Sequence, residues 1–154
     1  MFADNPRKVY RTELSPVSFL RRSAAIYPDK IAIIHENRRY NYKIFEERVN
    51  RFANRLSAVG LEKHDRVAFL CPNIPALLEA HFAVPAAGGI LVPINTRLNA
   101  EEVSYILQHS GARFLFVDSE LKPLLDGLEV SEIIVIEVRD TGNGDDPYEI
   151  FLSE

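Results

Sequence analysis

The residues whose types can carry chemistry are few in this chain, and their spacing is the first thing to weigh. A single cysteine, Cys71, sits between Leu70 and Pro72. No His or Lys stands near it in sequence to lower its pKa, so it reads as a small buried hydrophobe rather than a nucleophile. The four histidines, His35, His64, His81 and His109, fall in different stretches with no HxH or HExxH spacing, so they make no local metal motif. His81, beside Phe82 in an apolar run, reads as a satisfied core or interface histidine rather than a catalytic one. No serine occupies a Gly-x-Ser-x-Gly elbow, which removes the main sequence argument for a hydrolase. The sole Gly-x-Gly, Gly142 with Gly144, lies among Asp140, Asp145 and Asp146 and opens no clear helix. It reads as a surface loop and not a phosphate cradle, and Gly88-Gly89 reads as a tight turn between helix and strand.

No catalytic, cofactor-binding or metal-ligating residue can therefore be named from residue chemistry. Composition narrows the class instead. With 154 residues, 47% hydrophobic and 26% charged, the chain is globular and long enough to hide about two-thirds of its unfolded surface. One cysteine excludes a disulfide framework and suits a reducing compartment, read as cytoplasmic with the peroxisome or another organelle left open. The net charge of -4 argues against a general nucleic-acid binder. Met1–Tyr10 resembles no export or import signal. The most apolar run, 76–94, contains Glu79, His81, Pro85 and two glycines, so it reads as buried helix, turn and strand and not as a membrane span. Charge is uneven: residues 1–60 carry net +6 and residues 61–154 net -10. Because Arg48, Arg51 and Arg55 interleave with Glu46 and Glu47, the basic half reads as a solvated helix face, with Glu47 and Arg51 spaced as an i,i+4 pair.

The elements that would position any site follow from periodicity. Residues 16–27 suit a short helix offering Val17, Phe19, Leu20 and Ile26 to a core, closed by Pro28. A hairpin follows, with Ile31–His35 outgoing, Glu36-Asn37-Arg38 turning and Arg39–Tyr42 returning; Asn37 is the expected positive-φ residue. A helix over Lys43–Val59 places Ile44, Phe45, Val49, Phe52, Ala53 and Leu56 on one stripe and ends at Gly60. From Arg66 the pattern becomes alternating strand and helix, the signature of right-handed βαβ units and a parallel sheet. Strands are expected at Val67–Leu70, Ile90–Ile94, Phe114–Val117 and Ile133–Ile136, with helices at Pro75–Ala87, Ala100–Ser110 and Glu120–Gly127. Asn99 with Glu102 predicts a capping box, Gly111 a helix end, and Pro85 a kink or stop. After Ile136 an acidic loop leads to one apolar turn with Tyr148, Ile150, Phe151 and Leu152, which has nothing to lead into and suggests a chain cut inside a larger protein.

Several stretches together resemble the amino-terminal part of adenylate-forming enzymes: Arg39-Tyr-Asn-Tyr42 with Phe45, Asp65-Arg-Val-Ala68, Cys71-Pro-Asn-Ile-Pro75, Leu78 through Gly88, and Pro93-Ile-Asn-Thr-Arg-Leu98. The His81-Phe82 context and Leu14–Leu20 are similar to the fatty-acyl-CoA ligase branch. Two positions depart: Asn41, where the family more often has Thr or Ser, and His64, where Gly commonly precedes Asp-Arg-Val. The resemblance spans about residues 14–153 and implies an α/β fold, a parallel sheet of βαβ units preceded by a small hairpin and helix. It implies the first subdomain of a large amino-terminal domain, divided as 14–60, 66–136 and 137–154. For a full-length member it also implies ATP, Mg and coenzyme A, a fatty acid substrate, and catalytic motifs that this segment lacks. The expected partners are the remainder of a ligase chain or a self-associating copy; the alternative is a stand-alone truncated paralogue acting as an interaction module.

Overall fold

The computed structural model describes residues 15–154. The segment Met1–Tyr10, read above as carrying no targeting signal, and Leu14 lie outside the described residues. Helix α1 (Pro16–Ile26) precedes a hairpin of β1 (Ile31–His35) and β2 (Arg38–Asn41), then α2 (Tyr42–Ala58). The rest alternates: β3 (Arg66–Leu70), α3 (Pro75–Ala86), β4 (Ile90–Pro93), α4 (Ala100–Ser110), β5 (Ala112–Asp118), a 3-10 turn (Lys122–Leu125), β6 (Ile134–Val138) and α5 (Pro147–Ser153). Strands β3 to β6 form one parallel sheet in the order β4-β3-β5-β6. This is the α/β architecture expected from the alternating pattern.

Hydrophobic side chains cover both faces of the sheet, as a parallel sheet requires. Val67, Phe69, Phe114 and Phe116 face α2, α3 and α5, while Ala68, Leu70, Leu115 and Val117 face α4 and the 3-10 turn. Helix α2 lays Phe45, Val49, Phe52 and Leu56 inward, as its periodicity predicts, but Ile44 is left exposed at the stripe's margin. In α1 only Leu20 and Ala24 are buried; Phe19 and Ile26 are exposed, because that short helix contacts the core along one narrow line.

Local signals place the helix ends. Asn99 accepts from Glu102 N, and Asn99 N donates to the Glu102 carboxylate, closing the capping box; Gly111 then takes φ 60°. Helix α3 ends one residue after Pro85. Asn41 caps α2 by accepting from Ile44 N at 2.8 Å, a task that Ser or Thr performs equally, so this departure from the family pattern is a change of cap. His64 has φ 72°, which explains why Gly is common there. Relieving a left-handed cost of about 1–2 kcal/mol, less the added freedom of glycine in the unfolded chain, His64→Gly should raise stability by about 0.5–1 kcal/mol in urea unfolding.

Three sequence expectations are corrected. The positive φ of the hairpin belongs to Glu36 (51°), not Asn37: His35 pairs with Arg38, leaving a two-residue turn whose first position takes the positive value. The helix expected over Glu120–Gly127 shrinks to the 3-10 turn, since Pro123 supplies no N-H and Gly127 turns left-handed. Finally, the terminal apolar turn does have a place to pack. Tyr148, Phe151 and Leu152 of α5 are buried in the main core, so the turn that looked isolated packs on this segment itself.

Candidate functional site

In a sheet ordered β4-β3-β5-β6, the connections after β3 and β5 diverge, and ligands in open α/β sheets favour the crevice at such a point. The loop 71–74 lies there. Beside it, β1 and α3 frame a groove of about 310 Å³ whose walls are Ile33, Ile34, Ile74, Leu77 and Leu78, with His35, Asn73 and His81 as polar members. The structure thus brings two of the four histidines to one groove, although sequence spacing gave no hint of it.

Their ring nitrogens are partly committed. His35 Nε2 bonds the Asp140 carboxylate at 2.7 Å, and Arg38 donates to its other oxygen at 2.6 Å. His81 Nδ1 donates to Leu77 O at 2.8 Å, within its own helix, and the side chain is exposed rather than a core member. Cys71 is buried with its sulfur 3.7 Å from Phe116 O; burial, reinforced by the charge of Asp118, pushes its thiol up and leaves it unreactive. The groove has no nucleophile with an adjacent base and no Lys or Arg among its lining residues. Among the described residues, no group of three or more His, Cys, Asp or Glu side chains could hold a metal ion. No helix among them is long and apolar enough to cross a membrane.

The acidic loop, read from sequence as a surface loop, is tethered to a buried carboxylate. Buried Asp146 accepts from Arg139 N, Thr141 N and Tyr148 N, and a Cβ on Gly142 (φ 68°) would stand 2.9 Å from the Arg38 side chain. Gly89 is likewise confined: a Cβ there would meet Val84, Leu61 and Asp65 at 3.1–3.3 Å, consistent with a tight αβ turn.

The strongest concentration of buried charge lies elsewhere, and sequence reasoning missed it. Glu79 of α3 is fully buried; it accepts from Arg48 Nε at 2.5 Å and from Tyr148 Oη at 2.7 Å. Arg48 also donates to both oxygens of Glu149, at 2.8 and 2.7 Å, and its guanidinium stacks over Tyr40. Burial pushes the Glu79 carboxyl up, and Arg48 and Tyr148 offset this only in part. Burial would lower Arg48, but its bonds to Glu149 and Glu79 outweigh that and hold it cationic. Burial and the adjacent Glu79 charge keep the Tyr148 phenol protonated. Arg48 is therefore no member of a solvated face, and no ion pair among the described residues joins Glu47 to Arg51. One signal was available: a carboxylate inside an apolar helix needs a cation.

Comparison with known proteins places this geometry. The family of AMP-binding enzymes matches residues 20–150. A 4-hydroxybutyrate–CoA ligase of Metallosphaera sedula is 37% identical over 144 residues, 93% of this chain and 26% of the relative. A peroxisomal butyrate–CoA ligase of Arabidopsis thaliana is 40% identical over 112 residues, 73% of this chain and 20% of the relative. Among solved structures, a benzoate CoA ligase of Burkholderia xenovorans superposes with TM-score 0.80 at 26% identity, covering 89% of this chain and 28% of that one. A fatty acyl CoA synthetase of Mycobacterium tuberculosis gives TM-score 0.79 at 28% identity, covering 90% and 28%. The chain spans about a fifth to a quarter of the length of these curated relatives. It belongs to the adenylate-forming, AMP-binding enzyme family, on the acyl-CoA ligase branch, and corresponds to the amino-terminal segment of those enzymes.

Proposed function

We propose that residues 1–154 act as the amino-terminal scaffold layer of an ATP-dependent acyl-CoA ligase and perform no chemistry alone. In that reading a longer chain joins a fatty or other small carboxylic acid to AMP, then to coenzyme A, and residues 14–60, 66–136 and 137–154 build one partial domain. The observation that supports it is the match to ligases several times longer, combined with a fold whose buried charged groups are spent on one another.

The residues present do not fit ATP, Mg or coenzyme A. The groove beside β3 has no cationic side chain in its lining other than histidine, and the Arg48 guanidinium is saturated by two carboxylates. Gly142-Asn143-Gly144 is fastened to buried Asp146 and pressed on Arg38, which leaves no converging N-H groups for phosphates. No step of the reaction is routed through this segment. A cytoplasmic or a peroxisomal setting would suit its single, free and buried cysteine.

The purified chain, given Mg-ATP, butyrate or a longer fatty acid and coenzyme A, should release no pyrophosphate above a no-enzyme blank, because adenylyl transfer needs charge stabilisation that is absent here. Turnover that copurifies with the chain would overturn the reading.

A further inference from the structure

The loop between β6 and α5 holds a pair of neighbouring residues that can react with each other. Asn143 is followed by Gly144, and no other asparagine in the chain precedes a glycine. Both residues are exposed, and among the described residues neither the Asn143 carboxamide nor the Gly144 N-H has a hydrogen-bond partner. A Cβ built on Gly144 would meet nothing within 4 Å, so no neighbour screens that nitrogen. Asn41, Asn95 and Asn99 are placed differently. Each spends its carboxamide oxygen on a backbone N-H, and each is followed by a residue whose side chain crowds the next nitrogen.

The rest of the turn is fastened through the main chain of Asn143. Asp146 N donates to Asn143 O at 3.0 Å, closing a four-residue turn with Gly144 and Asp145 at its centre, and Asn143 N donates to Thr141 Oγ1 at 3.2 Å. Buried Asp146 in turn accepts from Thr141 N and from Tyr148 N, each at 3.0 Å, and the second of these bonds caps α5. A change in the Asn143 main chain therefore reaches the start of that helix.

We infer that Asn143-Gly144 is a self-modification site, at which deamidation lengthens the turn and loosens the cap of α5. The Gly144 nitrogen gives up its proton and attacks Asn143 Cγ; the new N-Cγ bond forms, the Cγ-Nδ2 bond breaks, and the departing nitrogen takes up a proton and leaves as ammonia. The product is a cyclic imide. Water opens it at either carbonyl, so asparagine and water enter and ammonia with aspartate or isoaspartate leaves, and nothing is oxidised or reduced. In the isoaspartate product the chain runs through the former side chain, which adds a methylene to the main chain and turns the former Asn143 carbonyl into a free carboxylate. The bond from Asp146 N then loses its turn geometry, and a new negative charge stands among Asp140, Asp145 and Asp146.

Held folded in mildly alkaline buffer, the purified chain should convert at Asn143 before any other asparagine, as read by peptide mapping with mass spectrometry and by isoaspartate-specific methyl transfer. Because neither reacting group is engaged, folding should slow the conversion by less than about tenfold relative to the same chain in urea. Gly144→Ala adds a methyl group that meets no neighbour, so the fold is kept, and it should slow conversion about tenfold or more by crowding the nitrogen. In the aged, isoaspartate-bearing chain the Thr141 and Tyr148 amides should exchange faster with solvent. Freshly prepared Asn143→Asp, which adds the charge without lengthening the main chain, should leave them near the values of the unaged protein, with circular dichroism checking that each sample is folded. Another asparagine converting first, a folded chain protected far more than tenfold, equal rates with and without Gly144→Ala, or a Tyr148 amide that isoaspartate leaves unmoved or that Asn143→Asp loosens equally would each overturn the inference.

Discussion

Replacing Arg48 by Met should lower the unfolding free energy by about 3–5 kcal/mol near neutral pH, the cost of stranding a buried carboxylate without its cation. Met keeps the apolar stem, so most of the loss is electrostatic. Glu79 would be left with only the Tyr148 hydroxyl, and its carboxyl, already raised by burial, would rise further. The sign of the pH dependence follows. A group whose folded pKa exceeds its unfolded value contributes stability fully below the unfolded pKa, and that contribution disappears as pH rises through the folded one. Arg48→Met should therefore be less damaging near pH 5 than near pH 8. Adding Glu79→Gln to Arg48→Met should recover part of the loss and reduce its pH dependence, since the fully buried charge is then gone and only Glu149, 15% exposed, is left without its cation. Urea unfolding of the single and double variants at both pH values is the check. An Arg48→Met loss below about 1 kcal/mol would return Arg48 to the solvated face that its helix pattern suggested.

The second large effect concerns Phe52, which is fully buried in α2 at the meeting point of three elements. Its ring packs edge-to-face on Phe116 at 5.1 Å, Tyr148 at 5.5 Å, Phe151 at 6.0 Å and Phe69 at 6.1 Å. Phe52→Ala should cost about 3–5 kcal/mol, from lost transfer energy and the cavity left among rings that cannot all close in. Because Tyr148 and Phe151 belong to α5, the variant should also loosen that helix before the sheet. Amide protection in residues 147–153 should fall more than in β3 and β5. A loss below about 1 kcal/mol would refute the inward phase of α2.

These two positions show what holds the segment together. Arg48, Glu79, Tyr148 and Glu149 link α2, α3 and α5, and the aromatic cluster fastens the same α5 to the sheet. Ionisable groups that elsewhere in α/β enzymes line a crevice are here spent on holding helices together. The groove between β1 and α3 gathers His35 and His81, but the first is held by Asp140 and the second by its own helix.

What the amino-acid sequence determined by itself was everything governed by neighbours a few residues apart. The 3.6-residue stripe of Phe45, Val49, Phe52 and Leu56, the Asn99-Glu102 box, the stops at Gly60 and Gly111 and the βαβ alternation from Arg66 all depend on local geometry, and each appears where its pattern puts it except the last crossover, where a 3-10 turn replaces the helix. The family likeness, carried by short motifs along the whole chain, was legible for the same reason. Tertiary structure decided the rest. Arg48 looks solvated beside Glu46 and Glu47, and only the approach of Glu79 and Glu149, 31 and 101 residues away in sequence, converts it into a buried tie. The α5 turn looks stranded until the sheet offers Phe116 and α2 offers Phe52. Contacts between residues far apart in sequence leave no period in it, so pattern reading finds the elements and the folded chain alone shows which charges, rings and edges they bring together.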